Sequence, residues 1–273
     1  GSAEALFFER LATLDVTTVL PLVLLLFREQ ELSEDRRRRA LKMLESWLVR
    51  RALLRLTIKA YNVQMPVLIE RVAEDPARAD EMLVEELRSG TSEISRWPTD
   101  ADVSVYYELH DAYNNIAKPR LAMALAAVEQ SLYSNKTDIL AIPSNLSLEH
   151  VIPQSWENHW PLADAATAEE EEAAREARQR ALHRLGNLTL VAGGLNTSLS
   201  NDPWAKKQKA LNAESRLLLN ARLIEGYPEV FDEAAVAERT KWLVSRMCEI
   251  WPGPEHDWLG QHPEPDEPAK ALE

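Results

Sequence analysis

The chain has 273 residues, of which 45% are hydrophobic, and a formal net charge of −13. This length and apolar content suffice for the core of one large domain or two modest ones. The single cysteine, Cys248, excludes an internal disulfide and a multi-cysteine zinc site, and it is consistent with a reducing cytoplasm, where we expect the protein. The longest apolar stretch, residues 19–27, is too short to cross a bilayer, so we expect no membrane association.

The acidic net charge argues against nucleic-acid binding, because neutralising phosphates is the main source of affinity for DNA. The charges are unevenly distributed, however. Residues 36–61 contain nine Lys or Arg against Glu45 alone, and residues 183–222 contain six against two acidic residues. Two basic surfaces on an acidic protein remain compatible with DNA binding, although a charge run such as residues 36–39 is more often a solvated helix face.

The first half of the chain has the hydrophobic periodicity of helices, and we assign residues 1–138 to a helical region. Ser33 precedes a basic helix predicted over residues 36–62, and Pro66 is expected to break the helical pattern beyond it. Further helices are predicted over residues 75–90, 103–116 and 119–133. No glycine-rich phosphate loop occurs in the sequence, so nucleotide hydrolysis is not expected of this chain.

From residue 139 the pattern changes to short strands. Residues 146–152 alternate as a strand does, and residues 185–191 are a second strand candidate. An acidic, alanine-rich helix over residues 163–182 separates them as an insertion. Asp202 and Pro203 then begin another helix. The order strand, strand, helix defines a core that we place at residues 139–212.

The remainder of the chain is expected to return to helix over residues 213–251 and to end in a mobile, acidic, proline-rich tail over residues 252–273. The sequence therefore predicts a mainly α fold, in which a helical domain carries an inserted hairpin and helix, a ββα motif.

The residue types in this core are those that phosphodiester hydrolysis needs. Water is a poor nucleophile toward a phosphodiester, and a neutral imidazole can take its proton at a pKa close to neutrality. His150, at the end of the first strand, is such a base. A hard divalent cation bound by oxygen atoms would neutralise the phosphate and stabilise the departing oxygen. Glu149 and Asn196 can supply these oxygen atoms, and Asn201 is the alternative to Asn196.

Glu149 and His150 are adjacent on a predicted strand. Adjacent side chains of a strand point to opposite faces, so these two share one face only where the strand bends or loops.

Three spaced motifs carry a resemblance to a known family. Residues 147–156 read SLEHVIPQSW, residues 185–190 read LGNLTL, and residues 196–207 read NTSLSNDPWAKK. This set resembles the HNH family of GmrSD-type and SspE-type defence nucleases, including those linked to phosphorothioate DNA. Residues 44–51, LESWLVRR, are similar to an arginine pair on a helix in the same region of those proteins. The resemblance implies a ββα-metal site, with an irregular hairpin turn that brings Glu149 and His150 together.

The resemblance also implies a role for each matching residue of the hairpin. His150 would be the general base, Glu149 the first metal ligand and Asn196 the second. Asn187 would pin the catalytic loop.

Four basic residues would contact nucleic acid on the same resemblance. Lys206 and Lys207 of the last motif would bind phosphate, together with Arg50 and Arg51 of the arginine pair.

The implied activity is the nicking or cleavage of double-stranded DNA with Mg²⁺ or Mn²⁺, leaving 5′-phosphate and 3′-hydroxyl ends. The resemblance further implies restriction of phage DNA that bears modified bases or backbones, and an N-terminal ParB-like nucleotide-hydrolysing domain in the natural protein. Two alternatives remain. One is a DNA-binding or docking module with a degenerate site, and the other is an abortive-infection RNase.

Other aromatic and histidine residues near the motifs have simpler interpretations. Trp156, Trp160 and Trp204 are expected to be packing anchors of a small subdomain with little other core. His159 and His183 flank the insertion, and we favour structural roles for both. No His-x-x-x-His spacing occurs, which disfavours a zinc hydrolase.

Overall fold

The structure is a computed structural model, and it describes residues 2–59, 61–133, 145–162, 165–192 and 201–260. The described residues are mainly helical with one two-stranded sheet, which confirms the predicted fold class at this level. Asn196 and the tail beyond residue 260 lie outside the described residues.

Five helices form the N-terminal part of the chain. Their bounds are Ala3–Leu14 (α1), Leu20–Arg28 (α2), Glu34–Leu53 (α3), Tyr61–Glu74 (α4) and Ala79–Ser89 (α5). The hydroxyl of Ser33 caps α3 by accepting a hydrogen bond from the Arg36 amide at 3.4 Å, as the sequence predicts. From Ala40 onward nearly every residue of α3 is buried, because the helix packs against α1, α2 and α5. Helix α3 is therefore the centre of this part of the core.

The predicted basic helix over residues 36–62 is shorter in the structure. Helix α3 ends at Leu53, and Arg55 adopts a left-handed backbone conformation with φ 57°, which a helix cannot continue through. Pro66 lies inside α4 rather than breaking it. It faces solvent, where the carbonyl group that lacks its helical partner can be hydrated.

Three further helices lie between α5 and residue 133, where this described range ends: Asp100–Leu109 (α6), Ala112–Asn115 (α7) and Lys118–Ser131 (α8). Thr99 and Asp102 form a capping box at the start of α6. Helix α7 is a single turn that carries Tyr113 and sits between the ends of α6 and α8. Helix α8 packs against both strands described next, so the helical region and the hairpin share one hydrophobic core.

The hairpin pairs Leu146–His150 (β1) with Leu188–Ala192 (β2) in antiparallel register, from Leu146 opposite Ala192 to His150 opposite Leu188. The acidic helix Ala168–Leu182 (α9) lies between the strands in sequence. The second strand starts later than predicted, because the segment Leu185–Asn187 forms a 3₁₀ turn.

The two faces of β2 are buried in different cores. Leu188 and Leu190 belong to the large core of the helical region, whereas Val191 belongs to a smaller one. Three helices follow β2 in the described residues 201–260: Trp204–Glu214 (α10), Leu218–Gly226 (α11) and Glu233–Ile250 (α12). The predicted helix start at Asp202 and Pro203 is confirmed.

The smaller core contains Trp156, Trp160 and Trp204, each at most 6% exposed, packed with Phe231 and Ile152. Their predicted role as packing anchors is confirmed. Within the described part of the chain, no helix combines the length and the apolar content that crossing a bilayer requires.

Candidate active site

Asn187 joins the start of β2 to the segment that follows His150. Its side chain is fully buried. The side-chain oxygen accepts a hydrogen bond from the Ile152 amide at 2.8 Å, and the side-chain amide donates to the carbonyls of Ile152 at 3.0 Å and Leu182 at 2.9 Å. The Asn187 carbonyl also accepts from the Val151 amide at 2.8 Å. This side chain therefore fixes the backbone immediately beyond His150.

Helix α12 in turn fixes the backbone around Asn187. The Arg239 guanidinium donates to the carbonyls of Gly186 at 2.6 Å and Leu188 at 2.7 Å. The Gly186 amide donates to the Thr240 hydroxyl at 3.0 Å. Arg239 is completely enclosed, and burial lowers its pKa to about 10. Arg239 and Thr240 of α12 thus fix the backbone on both sides of Asn187.

Gly186 is required by this close approach of α12. A Cβ atom at this position would lie 2.0 Å from the Val236 carbonyl oxygen and 2.6 Å from the Thr240 hydroxyl. Backbone atoms cannot move aside cheaply, so only glycine fits here. In the second motif, Gly186 is therefore needed for steric reasons, and Asn187 is needed for its hydrogen bonds.

His150 lies at the end of β1 and is 8% exposed. Its Nε2 is buried and has no hydrogen-bond partner among the described residues. Burial lowers the pKa of His150 to about 4, and the charges of His183, Lys207 and Lys118 act in the same direction. The imidazole is therefore neutral near pH 7, which is the form that accepts a proton.

Tyr113, His183 and Lys118 surround the His150 ring. The Tyr113 ring packs edge to face on His150 with centroids 4.4 Å apart, and the His183 ring lies 5.6 Å from His150. The His183 carbonyl accepts a hydrogen bond from the Tyr113 amide at 3.0 Å. Its Nδ1 is buried without a partner among the described residues. Partial burial lowers the pKa of Lys118, which lies over the Tyr113 ring.

Glu149 leaves β1 on the face opposite to His150. The strand pairs regularly through both residues, Glu149 with Thr189 and His150 with Leu188. The irregular turn expected to bring the two side chains to one face is therefore not observed. The Glu149 carboxylate, 16% exposed, instead meets the Lys207 ammonium of α10 at 2.9 Å.

Lys207 is not placed to contact phosphate, because it is 1% exposed. Its ammonium donates to Glu149 and, at 2.8 Å, to the His150 carbonyl. It thereby attaches α10 to the end of β1. Lys206 is different: its side chain is 69% exposed and forms only a surface ion pair with Asp202 at 3.3 Å. The structure leaves Lys206 accessible to a phosphate.

Arg50 and Arg51 also lie in the interior, at 3% and 0% exposure. Arg50 donates to the carbonyls of Trp251 and Pro98, and Arg51 donates to four backbone carbonyls and the Tyr61 hydroxyl. A buried guanidinium needs such partners to offset its lost hydration. The structure therefore does not support the prediction that this pair contacts DNA.

Glu149 is the one carboxylate that the described residues offer to a cation at this site. The Oε1 atom of Glu149 is paired with Lys207, whereas its other oxygen forms no hydrogen bond or ion pair with the residues that the structure describes. That oxygen is a hard donor that fits Mg²⁺ or Mn²⁺. Among the described residues there is no group of three His, Cys, Asp or Glu that could hold a metal. Further ligands would have to include amide oxygens such as Asn201 at the start of α10, or Asn196.

The sequence interpretation missed four residues that the structure brings to the site. Tyr113 and Lys118 lie upstream of the three motifs, and Arg239 and Thr240 lie downstream of them. No local pattern distinguishes them from other helical residues. His183 was considered and given a structural role, yet its ring lies in the cluster around His150. These residues could be found only from contacts between distant parts of the chain.

Comparison with known families bears on the same region. The family model of the C-terminal domain of GmrSD restriction endonucleases matches residues 97–246. The chain belongs to this family. The match includes the hairpin, His150, Asn187 and Arg239, together with Tyr113 and Lys118. A function related to restriction endonucleases follows from membership of the GmrSD C-terminal domain family.

Searches of curated proteins and of solved structures found no match to this chain.

Proposed function

We propose that this GmrSD C-terminal domain is an HNH-type endonuclease that cuts double-stranded DNA with a divalent cation, and that His150 is its general base. The observation that carries the proposal is that the Asn187 side chain holds the backbone of Ile152 by hydrogen bonds to both its amide and its carbonyl group. This hold fixes a neutral histidine at the end of β1, and its buried Nε2 has no hydrogen-bond partner among the described residues. The arrangement is what a positioned base requires.

His150 would take the proton of the attacking water. Its Nε2 is sealed from solvent, which supports Nδ1 as the nitrogen that receives the proton and Nε2 as the one that carries the hydrogen. The rings of Tyr113 and His183 restrict its rotation. Because the imidazole is already neutral near pH 7, no proton has to leave it before the water is activated.

Glu149 would hold the cation through its free carboxylate oxygen, with Asn196 or Asn201 as the second protein ligand. When bound, a hard divalent cation neutralises the phosphate and stabilises the departing oxygen. The attacking and departing oxygens of a phosphoryl transfer lie roughly in line, on opposite sides of phosphorus. Because Glu149 and His150 leave β1 on opposite faces, a phosphate that both side chains reach would have to lie beyond the end of the strand.

Two wider proposals concern the natural protein. We propose that the substrate is phage DNA, with or without modified bases or a phosphorothioate backbone. We also propose an N-terminal ParB-like nucleotide-hydrolysing domain as the partner that controls cutting. Both are supported by the motif resemblance, and family membership agrees with a role in restriction.

The experiment is a supercoiled-plasmid assay of the purified chain with Mg²⁺, Mn²⁺ or EDTA, run beside His150→Ala. We expect nicking that requires metal and that falls about 100- to 10,000-fold in the variant, the range for loss of a general base. His159→Ala is the matched control, because His159 is exposed and lies outside the His150 cluster. It should cut like the wild type.

Other outcomes separate the alternatives. Plasmid binding without cutting in any metal would contradict the nuclease proposal and favour a DNA-binding or docking module. Cutting of single-stranded RNA in preference to duplex DNA, in a parallel assay, would favour the RNase. Cutting that survives His150→Ala would show that His150 is not the base.

A further inference from the structure

The positively charged side chain of Lys118, which does not belong to the hairpin, lies beside His150. Lys118 is the first residue of α8, and its side chain is exposed. Its ammonium lies 3.3 Å from the centroid of the Tyr113 ring and donates a hydrogen bond to the Tyr113 carbonyl. The same ring packs on His150. Tyr113 therefore holds Lys118 on the side of β1 that carries His150.

Lys118 differs from Lys206 and Lys207 of α10, because no acidic side chain among the described residues pairs with it. The Lys207 charge is balanced by Glu149, and the Lys206 charge is balanced by Asp202. Lys118 is bound only by a carbonyl and an aromatic face in the part of the chain that the structure describes. An ammonium that no carboxylate neutralises attracts a phosphate more strongly than one that is already paired.

Two ring nitrogens of the same cluster also lack partners. Nε2 of His150 and Nδ1 of His183 are both buried with no hydrogen-bond partner among the described residues. Unpaired buried polar atoms are uncommon in folded proteins, and each needs an explanation such as a ligand, a water or a catalytic role. The two nitrogens are buried, whereas the Lys118 side chain of the same cluster is exposed and is the group that an anionic ligand with oxygen acceptors can reach.

We propose that Lys118 contacts the scissile phosphate and that Tyr113 is the positioning residue that holds Lys118 beside His150. The phosphate-binding cation of the site then comes from α8 of the helical region and not from the hairpin motif. This inference rests on the proposed nuclease function. A phosphate held by Lys118 lies next to the base that activates water, and the ammonium offsets negative charge that would otherwise repel the nucleophile.

The test compares Lys118→Met, which removes the charge but keeps an unbranched side chain, with Lys118→Arg, which keeps the charge. Lys42→Met is the matched control, because Lys42 is exposed on α3 and loses the same charge outside the His150 cluster. Steady-state cleavage of a short DNA duplex with Mg²⁺ gives kcat and KM. Affinity for the same duplex at several salt concentrations is measured in the His150→Ala background, where the duplex stays intact.

We expect Lys118→Met to lower kcat/KM by at least about tenfold and to reduce the salt slope of binding by about 1, as for one lost phosphate contact. Lys118→Arg should retain most of the activity, and Lys42→Met should match the wild type. A purely structural role would leave the salt slope unchanged, so this slope separates contact with phosphate from damage to the fold.

Lys118→Met with the cleavage rate and salt slope of Lys42→Met would overturn the inference. The inference would also be overturned if Lys118→Met and Lys118→Arg lost cleavage activity equally and in proportion to their loss of thermal stability. If the wild-type chain does not cut, the proposed nuclease function fails, and the salt slope still tests the phosphate contact of Lys118. If the wild-type chain does not bind the duplex either, both are wrong.

Discussion

Arg50 and Arg51 were predicted to contact nucleic acid and His150 to act on it, and the structure buries these residues in two clusters with different surroundings. The guanidinium groups of Arg50 and Arg51 donate to backbone carbonyls and other partners on all sides. The cluster at the end of β1 instead leaves ring nitrogens of His150 and His183 without partners among the described residues. Within the described ranges, the hydrogen bonds of the arginine cluster are complete, and those of the histidine cluster are not.

This difference separates side chains whose hydrogen bonds hold the fold from side chains whose buried polar atoms have no partner among the described residues. A buried donor that has its acceptor contributes a modest net stability, whereas its removal leaves the acceptor unsatisfied at a larger cost. A buried atom with no partner costs stability in the free protein, and a bound ligand can recover that cost. The number of buried polar atoms with a hydrogen-bond partner thus distinguishes the two clusters, although both contain residues able to bind phosphate.

The largest effect on stability is expected for Arg51→Met. The substitution keeps an apolar stem but leaves several buried carbonyls without a donor, so the free energy of unfolding should fall by about 3 kcal/mol. Arg55→Met is the control, because Arg55 is exposed and its side chain donates to Asn115 at the surface, and a change within about 0.5 kcal/mol is expected. Urea denaturation measures both variants. Equal values would show that the buried arginine does not hold the fold.

Gly186→Ala should lower the free energy of unfolding by about 2–3 kcal/mol, because the new Cβ atom overlaps the α12 backbone. Gly226→Ala is a matched control, since a Cβ atom there meets nothing within 4 Å. Thermal and urea unfolding should show little change for the control, or a slight gain from helix propensity. A stable Gly186→Ala protein would mean that α12 does not clamp the second motif.

Asn187→Leu should cost about 2 kcal/mol, because three backbone groups lose their partner. Cleavage per folded molecule should also fall by at least about tenfold, since the base loses its position. Asn220→Leu is the control: Asn220 is equally buried and bonds to Thr189 and Leu190. It should lose similar stability but keep cleavage. If both variants lose cleavage equally, the hold of Asn187 on the His150 loop has no special role.

The smallest effect on stability is expected for His183→Phe. The substitution keeps an aromatic ring and removes a buried nitrogen that has no partner among the described residues. The free energy of unfolding should stay within about 1 kcal/mol of the wild type or rise. Denaturation under the conditions used for Arg51→Met gives the comparison. A loss as large as that of Arg51→Met would show that the histidine cluster is a structural cluster like the arginine pair.

The local elements of the site could be predicted from the sequence. Alternating residues identified β1, and Asp202 and Pro203 marked the start of α10. The geometry of Asn187 also agrees with the role that its motif implies, although that role in catalysis stays a prediction. The strand and the helix start depend on strand periodicity and on helix capping, and a short stretch of sequence contains both signals.

Which charged residues face inward could not be read from the same patterns. Arg50 points into the core because its acceptors lie at Pro98 and at Trp251, 201 residues away in the chain. Lys207 is buried because Glu149 lies opposite it. Lys118 joins the site only because α7 carries Tyr113 to the end of β1. Local sequence patterns identified the two strands and the start of α10, and the motif resemblance implied the role of Asn187, whereas the surroundings of His150 were decided by tertiary contacts, since a partner far along the chain leaves no local signal.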